Sequence, residues 1–172
     1  AAYYATIEHI DAEIGRLLDW LDDTEQRNNT LIIFNSDHGD MQGDHGIFQK
    51  GPYLYEGAVR VPLILSWPGV LPQGMVSPAL VEQIDIVPTL LEALSLPVHQ
   101  GIQGKSLLPL LNRECASGEH RGGVYAEYYN ANPARTSPFL APTYATMWRT
   151  DTHKIVTYHG QDIGELYNLV DD

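Results

Sequence analysis

Residues 36–50, SDHGDMQGDHGIFQK, form the stretch that decides how the rest of the chain is interpreted. They directly follow Leu31-Ile32-Ile33-Phe34, an apolar run with the length and side chains of a buried strand. In an open α/β sheet, ligands and catalytic groups gather in the loops at the carboxyl ends of the strands. This loop carries three carboxylates and two imidazoles, on Asp37, His38, Asp40, Asp44 and His45. Crowding these groups is costly unless a cation lies among them, so the pattern favours a metal or anion site over a solvated acidic turn.

The composition is that of a globular protein and excludes several classes of partner. The chain has 172 residues, enough for one domain or one domain with a small appendage, and 44% of them are hydrophobic. A net charge of −12 would repel nucleic acid and anionic membrane surfaces, so neither is expected as the main partner. No apolar run approaches the roughly 20 residues of a spanning helix, which predicts no membrane insertion. Because Cys115 is the only cysteine, neither an internal disulfide nor a cysteine metal cluster can form.

Apolar spacing predicts α/β packing over the first two thirds of the chain. Residues 3–27 carry apolar side chains every three or four positions, which predicts an amphipathic helix ahead of the strand at 31–35. A second strand is predicted at 61–67, and a helix is expected to start at Pro88 because proline is tolerated in a first turn. We expect Asp85 to cap that helix.

Four polar groups around the loop are expected to have structural roles. The side chains of Ser36 and Asp40 are predicted to hydrogen-bond nearby amides and so to hold the loop in shape. Glu56 and Arg60 are predicted to form an ion pair that holds the loop onto the sheet.

The last third of the chain differs in composition and in the secondary structure that it predicts. Residues 112–122 are polar and contain glycine, which predicts an α/β part at 1–112 and a small antiparallel β subdomain at 113–172. Short aromatic and β-branched runs predict three antiparallel strands, at 124–129, 144–148 and 154–158. The loop at 130–142, rich in Pro, Ser and Asn, is a candidate for substrate selection.

The order of these segments resembles a known family. The long helix and the acidic loop are followed by YEGAVRVPLILSWPG at 55–69, DIVPTLL at 85–91 and GKSLLPLL at 104–111. Near the end come Trp148-Arg149-Thr150 with Lys154, and then ELYNL at 165–169. Together they resemble the later part of a sulfatase of the alkaline-phosphatase-like superfamily, with Asn168 where that family usually has Asp. The resemblance implies the C-terminal part of an α/β/α sandwich followed by a small antiparallel sheet.

The resemblance also assigns roles within the loop. In similar sulfatases the Asp and the following His or Asn ligate a divalent cation, usually calcium, and these positions correspond to Asp37 and His38. Carboxylate oxygen suits calcium, whereas imidazole suits transition metals better, so calcium is the first choice and magnesium and manganese stay open. The lysine that contacts the sulfate in relatives corresponds to Lys50. His45 lies between them and is interpreted either as a substrate contact or as a structural residue.

The nucleophile of the family is not encoded in these residues. Sulfatases use a formylglycine made from Cys or Ser in a C/S-x-P-x-R motif. Cys115 is followed by Ala-Ser-Gly-Glu, and no serine begins such a pentapeptide. The paired aspartates that complete the cation site of relatives are absent as well. We therefore expect the formylglycine to lie upstream, this chain to be the C-terminal portion of a longer enzyme, and the portion alone to be inactive.

The predicted function is that of a sulfuric ester hydrolase, acting on a sulfated small molecule or glycan. Two alternatives stay open, a phosphonate or phosphodiester hydrolase of the same superfamily and a non-catalytic module that has lost the nucleophile. Many relatives are exported, which implies a periplasmic or secreted location, while a cytoplasmic one stays open. Sugar and aryl sulfates are equally compatible with the sequence, which does not indicate an oligomeric state.

Overall fold

The computed structural model of the chain describes residues 2–113, 119–129 and 144–171. Cys115 and the predicted specificity loop at 130–142 lie outside these residues. The chain forms two compact units, Ala1–Phe34 with Leu63–Met75, and Asn35–Pro62 with Val76–Asp172. The predicted division at residue 112 stays a prediction.

The first unit contains a long helix and a two-stranded sheet. Helix α1 spans Ala2–Asp23, a 3-10 turn follows at Arg27–Asn29, and strands β1 (Ile32–Asn35) and β2 (Leu63–Ser66) pair with each other. The last residue of β1, Asn35, already belongs to the second unit. Both predicted strands are confirmed, with shorter bounds than the apolar runs suggested.

Helix α1 ends four residues earlier than its apolar pattern predicts. Glu25 adopts a left-handed conformation with φ of 56°. The Gln26 amide donates to the Leu21 carbonyl at 2.8 Å, and the Glu25 amide donates to the Asp22 carbonyl at 3.0 Å. These two bonds form a Schellman motif, which satisfies the last helical carbonyls and turns the chain away.

Among the described residues, the second unit contains three short helices. Helix α2 spans Glu56–Val59, α3 spans Ile86–Ala93 and α4 spans Leu108–Leu111. Helix α3 begins two residues before Pro88, but the proline still lies in the first turn, where its missing N–H has no helical partner. Two 3-10 turns, Asp44–Gly46 and Gln83–Asp85, complete this part of the unit.

A four-stranded antiparallel sheet forms the rest of the second unit. Its strands, in the order β3-β4-β5-β6, are Val124–Tyr129, Tyr144–Arg149, His153–His159 and Gly164–Asn168. The three predicted strands are confirmed, and the residues after Gly164, for which we predicted no structure, supply the fourth. Side chains alternate between buried and exposed along β5, as expected for a sheet with one covered face.

The core of the second unit lies on the covered face of this sheet. Ala145 and Met147 of β4 pair with Tyr158 and Val156 of β5, and all four side chains are buried together with Leu54. Hydrophobic burial on this face anchors the segment that carries Leu54, which follows the acidic loop along the chain. No helix in the described part of the chain is both long and apolar enough to cross a membrane.

Candidate functional site

The acidic loop starts immediately after β1 and is fixed by backbone contacts with α2. The Gly39 amide donates to the Ala58 carbonyl at 2.9 Å. A Cβ at Gly39 would collide with the Gly57 carbonyl, so only glycine allows this close approach of the two backbones. The side chain of Asp40 accepts from the Lys50 amide at 2.8 Å, whereas Ser36 donates to the His38 carbonyl at 2.8 Å. The loop-fixing role is therefore confirmed for Asp40, while Ser36 bonds a carbonyl instead of an amide.

The loop brings three of the four predicted site residues together. Asp37 Oδ2 lies 3.4 Å from His38 Nε2, and Lys50 Nζ contacts the same imidazole nitrogen. The Asp37 side chain is 85% exposed and that of His38 is 37% exposed, so the pair faces open space. A carboxylate, an imidazole and an ammonium group thus converge on one side of the loop.

The donor set of Asp37 and His38 fits part of a cation site. His38 Nδ1 lies 2.9 Å from the Gly39 carbonyl, which can only accept, so an imidazole that ligates a cation would carry its proton at Nδ1 and present its lone pair at Nε2. That nitrogen and the Asp37 oxygen are spaced like two ligands of one ion with bonds of about 2.0–2.5 Å. A backbone carbonyl that orients a ligating imidazole is a common feature of metal sites. Among the described residues, no group of three or more His, Cys, Asp or Glu side chains could hold a metal ion, so further ligands would be needed.

A side chain from a distant part of the sequence binds the start of this loop. Gln83 Nε2 donates to the Ser36 carbonyl at 2.6 Å and to the Asp37 carbonyl at 3.0 Å. Gln83 was not among the predicted site residues, because a glutamine in an apolar run carries no signal for a partner 46 residues away.

The fourth predicted residue, His45, lies in a different environment. It adopts a left-handed conformation in the tight turn at Asp44–Gly46, and its ring stacks on Tyr55 with ring centroids 4.1 Å apart. Within the described part of the chain, no hydrogen bond or ion pair joins His45 to Asp37, His38 or Lys50. It lines a pocket of about 210 Å³ together with Met41, Asp44, Tyr55, Glu56, Gly57, Lys154, Tyr167 and Leu169. The catalytic role of His45 stays a prediction.

The predicted ion pair between Glu56 and Arg60 is wrong. Glu56 Oε1 lies 3.3 Å from Lys154 Nζ and 3.6 Å from Arg149 Nε. Arg149 and Lys154 are paired across β4 and β5, and Lys154 is buried. Arg60 follows the end of α2 and is exposed. The buried ammonium of Lys154 needs a counter-charge more than an exposed guanidinium does, which explains the choice of partner.

The prediction that Asp85 caps α3 is also wrong. Its side chain is fully buried and makes no capping bond to that helix. Instead it accepts from the amides of Glu82 and Lys105, at 2.9 Å and 2.8 Å, and contacts the Arg121 guanidinium and His120. A buried carboxylate is stable only when such donors surround it, and Asp85 is therefore the centre of a buried polar network.

The Asp85 network includes two further contacts and one perturbed imidazole. Arg121 also binds Glu82 Oε2 at 2.7 Å, and Lys105 Nζ donates to the His120 carbonyl at 2.6 Å. Burial lowers the pKa of His120, and the neighbouring Asp85 carboxylate opposes this shift less strongly. The sequence signal for the network is the pair Glu82 and Asp85 at N-cap spacing, which forms a capping box.

A second carboxylate, Glu165 on β6, accepts from three tyrosine hydroxyl groups, the longest of these bonds coming from Tyr55 at 3.4 Å. The hydroxyl groups of Tyr158 and Tyr167 donate to its two oxygens at 2.8 Å and 2.7 Å. Burial, and then the hydrogen bonds to Glu165, raise the pKa of both tyrosines well above the ordinary value. Both hydroxyl groups are therefore fixed as donors at neutral pH.

Comparison with protein families identifies the first part of the chain. The model of the family described as Sulfatase matches residues 1–96, more than half of the chain. These residues include β1, the acidic loop, α2 and all of α3 with its preceding turn.

Several curated proteins resemble the chain over most of its length. It is 39% identical to arylsulfatase K of Gallus gallus over 92% of the chain, and 41% identical to an arylsulfatase of Clostridium perfringens over 75%. An N-acetylglucosamine-6-O-sulfatase of Bacteroides thetaiotaomicron is 34% identical over 99% of the chain. The chain spans only 29%, 28% and 30% of these three relatives, respectively.

Solved structures share the fold. One structure, of a protein in complex with its substrate D-glucosamine-2-N,6-O-disulfate, matches 98% of the chain with a TM-score of 0.86 and 34% identity. A phosphonate monoester hydrolase of Agrobacterium radiobacter matches 99% with a TM-score of 0.85 and 28% identity. The chain covers 33% and 34% of these structures. The predicted fold class is confirmed, and the chain belongs to the sulfatase family of the alkaline-phosphatase-like superfamily.

Proposed function

We propose that the protein is a sulfuric ester hydrolase that depends on a divalent cation, and that this chain supplies part of the cation site and the sulfate-binding lysine. The observation that carries the proposal is the convergence of Asp37, His38 and Lys50 at the start of the loop after β1. The position of this loop directly after β1, within the residues that match the sulfatase family, supports the same assignment.

Asp37 and His38 would hold the cation through the carboxylate and Nε2. Calcium is the first choice because of the carboxylate, and magnesium and manganese are the alternatives because of the imidazole. The bound cation would polarise a sulfate oxygen and offset its charge. In the structure Lys50 Nζ takes up the lone pair of His38 Nε2, so the lysine has to leave this nitrogen when the imidazole ligates a cation.

Lys50 would then be free to bind the oxyanion. A compact ammonium group stabilises the oxygen that gains negative charge as the sulfur–oxygen bond breaks. We assign the nucleophile, a hydrated formylglycine, to a part of the protein upstream of residue 1. His45 is proposed as a substrate contact, since it lines the pocket beside the loop and offers a stacked ring.

We propose a sulfated glycan as the substrate class, and an extracytoplasmic location. The names of two similar proteins support the first point, because one is an N-acetylglucosamine-6-O-sulfatase and the other was solved with a disulfated glucosamine. A phosphonate monoester hydrolase is the second candidate function, favoured by two solved structures with TM-scores of 0.83 and 0.85.

Matched substrates distinguish these functions. The complete protein is assayed on glucosamine 6-sulfate, an aryl sulfate and an aryl phosphonate monoester, after metal removal and after addition of calcium, magnesium or manganese. We expect the sulfate esters to be preferred, activity to disappear with chelation, and calcium to restore it. The control variant Asp162→Asn, in the exposed turn between β5 and β6, should behave like the wild type.

Two results would contradict the proposal. A higher kcat/KM on the phosphonate monoester would move the protein to the second candidate function. Full activity after chelation, with no metal retained, would remove the cation from the proposal.

A further inference from the structure

Gln83 makes an unusual pair of hydrogen bonds to the site loop. Its side-chain nitrogen donates to two successive carbonyls, those of Ser36 and Asp37, at 2.6 Å and 3.0 Å. A primary amide has two N–H groups, so both of its donors are used by one short stretch of backbone. The two carbonyls flank the Asp37 Cα atom, and the second belongs to the peptide that leads into His38.

The position of Gln83 is itself tightly determined. It lies in the 3-10 turn Gln83–Asp85, between the two acidic residues of the capping box. Arg121 bridges both of them, with 2.7 Å to Glu82 and a contact to the buried Asp85. The turn that carries Gln83 is thus held on both sides by charged hydrogen bonds.

A close backbone contact holds the same turn from another direction. A Cβ at Gly104 would collide with the Ile84 carbonyl, so the segment before α4 passes directly against the turn. The next residue, Lys105, donates its amide to Asp85 at 2.8 Å. The backbone of the turn that carries Gln83 is therefore held by the Asp85 network and by the segment before α4.

We propose that Gln83 is a positioning residue for the cation site: it holds the backbone of Ser36 and Asp37 so that the Asp37 carboxylate and His38 Nε2 face the same point. This inference rests on the proposed cation role of the two residues. The buried Asp85 network then supports the cation site indirectly, because the network fixes the turn from which Gln83 reaches the loop. Groups of this kind, which orient ligands without touching the metal, typically change metal affinity by about 10–100-fold when removed.

The test compares Gln83→Met and Gln83→Glu with wild type in the complete protein. Methionine keeps the length of the side chain and loses both donors, whereas glutamate keeps the shape and presents oxygens to the two carbonyls. Because Gln83 is exposed, neither change leaves a cavity, and the melting temperature should stay close to that of the wild type. Gln73→Met, also at an exposed glutamine, is the matched control.

Two readouts separate positioning from a merely structural bond. Calorimetric titration with calcium should show a dissociation constant about 10–100-fold higher for Gln83→Met, with kcat largely recovered at saturating calcium. Hydrogen exchange without metal should show faster exchange of the amides at 37–40 in both variants. The Gln73→Met control should match the wild type in both measurements.

The outcomes for the inference and for the proposed function are distinct. If the wild type binds calcium and hydrolyses sulfate esters while Gln83→Met has the same calcium affinity and the same exchange at 37–40, the inference is wrong and the function stands. If Gln83→Met only lowers the melting temperature, with calcium affinity unchanged, the bond is structural and the inference is again wrong. If the wild type binds no divalent cation, the proposed function is wrong, and the positioning role of Gln83 is wrong as well.

Discussion

Removal of the charge on Asp85 tests the buried network most severely. The carboxylate is fully buried and accepts from two amides, from His120 and from the Arg121 guanidinium. Asp85→Asn preserves the volume, so no cavity term contributes. The substitution does, however, place an NH₂ group among hydrogen-bond donors, and it leaves the Arg121 guanidinium with Glu82 as its remaining carboxylate partner.

The expected cost follows from the surroundings of Arg121. Removal of one partner from a buried ion pair typically costs about 3–5 kcal/mol. The guanidinium keeps Glu82 at 2.7 Å and is 19% exposed, so the loss should lie at the low end of that range. We therefore expect Asp85→Asn to lower the free energy of unfolding by about 3 kcal/mol. With a urea slope of about 2–3 kcal/mol/M, the midpoint should fall by about 1–1.5 M.

Urea unfolding followed by circular dichroism and by tryptophan fluorescence measures this loss, and coincident curves justify a two-state treatment. Asp162→Asn, at an exposed aspartate, is the control and should change the free energy of unfolding by less than about 0.5 kcal/mol. A loss below about 1 kcal/mol for Asp85→Asn would mean that the carboxylate is solvated, and it would refute the buried network.

Three further predictions concern protonation and charge. Burial lowers the pKa of His120 in the folded state, against the opposing effect of Asp85, so the unfolded chain takes up a proton first as the pH falls below about 6.5. The free energy of unfolding should therefore fall from pH 7 to pH 5, and it should fall less in His120→Gln. Urea midpoints at the two pH values measure this difference. Lys50→Ala should lower kcat of the complete enzyme by about 10²–10³-fold at an unchanged melting temperature, and near-normal turnover would remove Lys50 from the site. Since the pKa of Tyr158 is raised, an alkaline titration followed by the phenolate absorbance should show that this tyrosine ionises late. Glu165→Gln should bring the pKa of Tyr158 closer to the ordinary value. Simultaneous ionisation of all ten tyrosines in the wild type would contradict the hydrogen bond.

Local sequence patterns predicted the regular elements well. The apolar runs around residues 32–35 and 63–66 and the aromatic runs of β3 to β5 all form strands, because strand-forming side chains and one-sided burial agree there. The end of α1 was missed, since a Schellman motif that uses Glu25 instead of glycine in the left-handed position leaves no clear signal.

The exposure of α1 could not be predicted from its periodicity. The spacing of its apolar residues correctly indicates a helix, but Leu21 is the buried residue of this helix, while Ile7, Leu17 and Trp20 are each about half exposed. Periodicity reports which residues share a face and carries no information about what covers that face.

Partners far apart in sequence were the main source of error at the site. Asp85 was interpreted from its neighbours as a helix cap, yet its partners include Lys105, His120 and Arg121, which lie 20 to 36 residues later. Glu56 was assigned to Arg60 four residues on, yet it binds Lys154, 98 residues away. Short-range spacing identifies which groups carry charge, whereas burial in the folded chain determines which charges must be paired.

The site residues themselves were selected by the order of motifs along the chain. Charge crowding alone indicated that the loop binds an ion, and the family resemblance then selected Asp37, His38 and Lys50. The structure places these three together, but their roles stay predictions. Gln83 had no signal in either kind of reasoning, because its partners are backbone carbonyls, which every residue carries.

The most direct test of the central claim is anomalous diffraction from crystals of the complete protein grown with manganese in place of calcium. The account predicts one strong peak in the difference map within about 2.5 Å of both an Asp37 carboxylate oxygen and His38 Nε2, with Lys50 Nζ no longer in contact with that nitrogen. Two results would contradict the assignment of Asp37 and His38 as cation ligands. One is a manganese-saturated protein whose peak lies elsewhere, and the other is a crystal with no peak in which His38 Nε2 keeps its contact with Lys50.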